Sequence, residues 1–154
     1  MKKIILYFCF LAIYGCAGYE PLFSTKELSY YVIDIENVSK NNLTEKISKR
    51  LKNYTSKGNG NKKVYKLEIS SNMSNIISSK DGKGNVSSYK MIVNVNVKVF
   101  NQDSDLLIST LNFNKDFVYN NQENKSNLDK YKKDIQENII NKISQDIIIK
   151  LQSI

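Results

Sequence analysis

The 154-residue chain has no histidine and no tryptophan, one proline and two cysteines. Without histidine it lacks the side chain best suited to proton transfer near neutral pH and the commonest metal ligand. No glycine-rich phosphate loop follows a strand in the required context. The carboxylates are scattered on solvent faces. Asp34 and Glu36, two apart on one strand, could form an acid pair, but they read more simply as an exposed strand face. Serines and lysines are numerous, yet nothing singles out a Ser–Lys dyad. Non-enzymatic function is therefore the expectation, with neither metal nor cofactor.

What is present begins with the first residues. Lys2 and Lys3 precede an uncharged, largely apolar run over residues 4–15, and the run ends at Cys16. A basic start, a short apolar stretch and a small residue before the break mark an export signal. The run is shorter than the roughly 20 apolar residues that a membrane-spanning helix needs. Leu11, Ile13, Gly15 and Cys16 resemble a bacterial lipobox, with Tyr14 as a departure from its pattern. That resemblance implies cleavage before Cys16 and a covalent lipid on its sulfur. Cys9 is then a small hydrophobe discarded with the signal. The mature chain keeps no free thiol and makes no disulfide.

Residues 1–15 hold no acidic residue, so removing Lys2 and Lys3 lowers the formal charge from +8 to +6. A basic exported domain suits an anionic partner, and export favours lipid phosphates or an anionic glycolipid over nucleic acid. Residues 16–28, with Pro21, read as a tether. The remaining length, residues 29–154, is enough for one domain.

Within that domain, residues 30–38 predict a strand with Tyr31, Ile33 and Ile35 on one side and Asp34 and Glu36 on the other. Residues 39–54 predict a helix. Its face carries Leu43, Ile47, Leu51 and Tyr54, and Asn42 with Glu45 forms its cap. Residues 56–63, with Gly58 and Gly60, read as a loop. Residues 64–73 alternate, with Tyr65, Leu67, Ile69 and Met73 opposite Lys66, Glu68 and Ser70, and the strand can extend to Ile77. After a polar turn over 78–88 comes the clearest strand, residues 89–100. It places Tyr89, Met91, Val93, Val95, Val97 and Val99 on one face. Leu107, Leu111, Phe113, Phe117 and Tyr119 supply another strand, with Lys115 as an exception to its parity. Ser126 or Asn127 then caps a long helix striped by Leu128, Tyr131, Ile135, Ile139, Ile143, Ile147 and Leu151. The order β-α-β-β-β-α predicts an α+β two-layer sandwich, with two helices on one face of a four-stranded, mostly antiparallel sheet.

Several segments are similar to the LptE family of lipopolysaccharide-assembly lipoproteins. In Cys16-Ala17-Gly18-Tyr19-Glu20-Pro21-Leu22-Phe23, a lipid cysteine is followed by Gly, an aromatic and Pro-Leu-aromatic. Phe117-Val118-Tyr119-Asn120 before an isoleucine-rich helix resembles the family's closing segment, and the strand and helix order also matches. Ala17 is an extra residue in the opening, and isoleucines and lysines replace most of the alanines common in the last helix. The resemblance implies a lipid-anchored protein on the periplasmic side of the outer membrane. It would plug an LptD-like β-barrel and assist lipopolysaccharide assembly. Lys80 and Lys83, in the loop over residues 78–85, are candidate contacts for lipid phosphates, with Lys90 extending the strip. The alternatives are a solvated, lysine-rich tip and, for the whole protein, a lipoprotein that binds another envelope ligand or modifies envelope material. Lys62-Lys63 and Lys130-Lys132-Lys133 read as solubilising clusters.

Overall fold

A computed structural model describes residues 30–53 and 63–154. The expected signal, Cys16, the expected tether, Tyr54 and the expected loop with Gly58 and Gly60 lie outside the described residues. The order is β1 (Tyr30–Asn37), α1 (Asn42–Lys52), β2 (Lys63–Lys80), β3 (Val86–Asn101), β4 (Leu107–Asn120) and α2 (Lys125–Gln152). The four strands form one sheet in sequence order. β1 runs parallel to β2, while β2–β3 and β3–β4 are antiparallel. The expected α+β sandwich is therefore present, with its single parallel pair bridged by the crossover through α1.

Alternation decides which sheet face is dry. Tyr65, Leu67 and Ile69 of β2 and Met91, Val93, Val95, Val97 and Val99 of β3 are buried, together with Tyr119 of β4. Against them lie Leu43, Ile47 and Leu51 of α1 and Leu128, Ile135, Ile139, Ile143, Ile147 and Leu151 of α2. Lys115 shares the helix-facing side of β4 and is held there by Asp146 of α2 at 2.8 Å, which accounts for its break in the apolar pattern.

Two local expectations are corrected and one is extended. In β1, Ile35 is buried and Asp34 and Glu36 are exposed as expected, and among the described side chains Tyr30 and Val32 are buried as well, because an irregularity between Val32 and Asp34 shifts the register. The side chains of Tyr31 and Ile33 lie outside the described set. The α1 cap is Asn41, not Asn42: its Oδ1 accepts from the Thr44 backbone N–H at 2.8 Å, and the helix is shorter than 39–54. The α2 cap is Asn124, which accepts from the backbone N–H groups of Ser126 and Asn127. Its Oδ1 occupies the place expected of a Ser126 or Asn127 side chain.

The buried arc of α2 is also wider than the expected stripe. Ile140, Ser144 and Ile148 are buried beside it, whereas Tyr131 is 37% exposed. Glu137, Ile140, Ser144 and Ile148 recur at steps of three, four and four, so they share one side of the helix. That side faces α1, where Glu137 pairs with Lys46 at 2.6 Å and with Arg50. The two cations hold the Glu137 carboxyl below its ordinary value, the Lys46 hydrogen bond being the largest cause.

Candidate functional site

The hairpin between β2 and β3 is longer, and its turn tighter, than the polar loop expected over 78–88. The strands continue to Lys80 and from Val86, leaving only residues 81–85 between them. Ser79 Oγ lies 2.6 Å from both Ser87 Oγ and Ser88 Oγ, which ties serine-rich strand ends together. Asp81 organises the turn. Its Oδ1 accepts from the backbone N–H groups of Lys83 (2.9 Å) and Asn85 (2.8 Å), and its Oδ2 accepts from Asn85 Nδ2. The Asn85 backbone donor is the main cause that keeps this carboxyl below its ordinary value. Gly84 has φ +86°, a conformation that costs a side-chain-bearing residue about 1 kcal/mol or more. Lys80 and Lys83 are thereby brought to one exposed tip, on either side of Asp81.

Lys90 stands apart from them. It lies four residues along β3 from Val86, about 13 Å at the rise of a strand. Its Nζ is 2.9 Å from Asp116 Oδ2 on β4, so it is locally neutralised.

The open sheet face around Lys90 repeats that arrangement. Lys66 meets Glu36 at 3.7 Å and Lys98 meets Glu68 at 3.8 Å, each pair joining neighbouring strands. Between these ion pairs runs an uncharged belt that sequence reading missed. Asn96 Nδ2 donates to Asn112 Oδ1 at 2.7 Å, and Asn114 Nδ2 donates to Asn94 Oδ1 at 2.5 Å. A concavity of about 370 Å³ lies here, lined by Ser39, Ser70, Asn72 and these asparagines among others. The period-two spacing of Asn94 and Asn96, and of Asn112 and Asn114, was a visible signal. Their pairing depended on a register that composition does not reveal.

A second feature lies at the start of α2. Tyr89 and Tyr119 stack with centroids 5.7 Å apart, and Tyr131 meets Tyr119 edge-on at 6.1 Å. Lys132 Nζ sits 5.6 Å from the Tyr89 centroid. One lysine of the cluster expected to be solubilising therefore has an aromatic partner. Among the described residues there is no group of His, Cys, Asp and Glu that could hold a metal ion, and no helix is long and apolar enough to cross a membrane.

With this architecture in view, the sequence profile of the LptE family, described as Lipopolysaccharide-assembly, matches residues 29–151. The chain belongs to the LptE family. Solved structures share its fold. Lipoprotein B from Nitrosomonas europaea superposes with a TM-score of 0.62 at 10% identity, over 85% of this chain and 88% of that one. The rare lipoprotein B from Shewanella oneidensis gives 0.51 at 15% identity, over 76% and 95%. A minor lipoprotein from Acinetobacter baumannii gives 0.56 at 15% identity, over 82% and 93%. No curated protein matches the sequence. Among the described residues, the exposed surfaces include the basic tip, the open sheet face and the outer edge of β4.

Proposed function

We propose that this LptE-family chain is a non-enzymatic lipoprotein anchored through Cys16 to the periplasmic side of the outer membrane. It would seat inside an LptD-type β-barrel as a structural plug and assist lipopolysaccharide assembly. The observation that carries this reading is the family match across the folded domain, residues 29–151. Membrane attachment is supported by the Lys2–Cys16 signal and by the lipoproteins that share the fold. Several acyl chains on one cysteine suffice for lasting attachment, because each buried methylene contributes about 0.8 kcal/mol. The open sheet face fits a wet barrel lumen, since it is polar and its Lys66, Lys90 and Lys98 are each paired with a carboxylate of a neighbouring strand. Lys80 and Lys83 are the groups offered to lipid phosphates at the tip, with Lys90 held back by Asp116.

Affinity purification from membranes tests the plug. A stable one-to-one complex with a large β-barrel is expected, together with fatty-acid labelling that Cys16→Ala abolishes. Recovery of the acylated protein as a monomer, with no barrel at any detergent condition that preserves other outer-membrane complexes, would overturn the plug role.

A further inference from the structure

We infer that the asparagine belt on the open sheet face is a binding site for a neutral, hydroxyl-rich oligosaccharide. Resting on the function proposed above, the inference assigns that ligand to the sugar portion of lipopolysaccharide. The belt consists of two rows across the sheet: Ser70, Asn96 and Asn112 in one, Asn72, Asn94 and Asn114 in the other. Within each row the β3 and β4 amides are bonded to each other, which fixes their planes. Each amide nevertheless keeps unused capacity. Asn96 and Asn114 retain their oxygens and a second N–H, while Asn94 and Asn112 retain both N–H groups. The result is an exposed array of donors and acceptors along an open depression of about 370 Å³, within the size range of small-ligand sites.

The flanking charges identify the ligand class. Lys66, Lys90 and Lys98 each have a carboxylate partner on the neighbouring strand, Glu36, Asp116 and Glu68 respectively. An anion would have to compete with these carboxylates for the lysines, and a cation would have to compete with the lysines. A neutral polyol needs neither. Its hydroxyls both donate and accept, as the amides do, so the exposed amides and the polyol can satisfy each other as the ligand displaces water. Phosphate recognition is thereby separated in space from sugar recognition. Lys80 and Lys83, which have no ion-pair partner among the described residues, stand at the hairpin tip, and the uncharged belt lies farther down the strands.

The test is a titration of the full-length, acylated protein in detergent, followed by the ¹⁵N side-chain amide resonances of asparagine. The probe is a neutral hexose oligosaccharide of the outer core of lipopolysaccharide, free of phosphate and of acidic sugars, with a chitooligosaccharide as the cell-wall comparison. Saturable shifts at Asn94, Asn96, Asn112 and Asn114 with the core oligosaccharide are expected. Asn94→Ala with Asn96→Ala should weaken that binding at least tenfold, and Lys80→Ala with Lys83→Ala should leave it unchanged. Absence of shifts with either probe at 10 mM, roughly the weak limit for a useful site, would overturn the inference, and shifts from the chitooligosaccharide alone would overturn the assignment of the ligand to lipopolysaccharide. Co-purification of the barrel distinguishes the two levels. If the double asparagine variant loses the barrel and the wild type shows no sugar shifts, the belt is a protein contact and the inference fails while the plug role stands. If the sugar binds and no barrel co-purifies, the plug role fails and the site survives.

Discussion

On the helix-covered face of the sheet, Leu67, Ile69, Val93, Val97 and Val99 are sealed from solvent. One residue away along the same strands, Lys66, Glu68, Asn94 and Lys98 lie partly or fully in water. The backbone hydrogen bonds of the two faces are shared, so the difference lies entirely in the side chains. The dry face is stabilised by removing apolar area from water, a non-directional term that grows with every methylene. The wet face is organised by directional pairs between strands, each worth little on its own. Stability should therefore reside in one face and selectivity in the other.

The largest effect that could break this division belongs to the dry face. Ile143 has no exposed surface. Ile143→Ala should destabilise the domain by about 2–5 kcal/mol, because it removes buried apolar atoms and leaves a cavity. Urea unfolding followed by circular dichroism measures it. Asn94→Ala on the wet face, tested the same way, should fall within about 0.5 kcal/mol of wild type. Equal costs at the two positions would show that the open face is as much a stability element as the core.

These two faces were not equally readable beforehand. The β3 valines declare their face because β-branched residues at a period of two have one reasonable burial, and the structure follows them from Met91 to Val99. In β1 the burial of Tyr30 and Val32 beside Ile35 was not legible, since a register shift between Val32 and Asp34 leaves no mark in the residue types. The seven-residue stripe of α2 was visible, but Ile140 and Ile148 were not assigned to the core. A single stripe assumes one packing partner, and α2 has two: the sheet and α1. At the candidate site, the Asp-Gly-Lys-Gly step announced the hairpin tip and so placed Lys80 and Lys83. The asparagine rows stayed hidden because they are created by strand register, which brings residues 16 and 20 positions apart into contact. The same register explains why Lys90, grouped with the tip by sequence, is bound to Asp116.

A middle-sized effect concerns the seam between the helices. Glu137 and its partners Lys46 and Arg50 are each about a third or more exposed, so solvent screens the contact. Glu137→Gln should cost about 1 kcal/mol or less. Its pH dependence has a definite sign. The folded-state pKa is depressed below the ordinary 4.5. The unfolded chain therefore binds more protons in the window just below that value, and stability rises with pH there. The contribution is complete above the unfolded value and lost as pH falls through the folded one. The gap in melting temperature between wild type and Glu137→Gln should accordingly close on acidification. A gap that stays constant from neutral pH to well below 4.5 would mean that the charge of Glu137 contributes nothing.

The smallest effect sharpens the comparison most, because it asks whether the wet face is balanced pair by pair. Lys90 and Asp116 are 37% and 48% exposed and 2.9 Å apart across β3 and β4. A double-mutant cycle with Lys90→Ala and Asp116→Ala isolates their coupling, which for an exposed pair should be about 0.2–1 kcal/mol and should shrink in high salt. Removing Asp116 alone frees Lys90, and with it a cation some distance below the hairpin tip. Asp116→Ala should then strengthen binding to vesicles containing anionic phospholipid more than Lys90→Ala weakens it, since in the wild type Lys90 is already occupied. If Lys90→Ala weakens vesicle binding as strongly as Lys83→Ala does, Asp116 does not mask Lys90. The basic surface then runs continuously from the tip down the strand, and the open face is not the self-neutralised surface that its ion pairs describe.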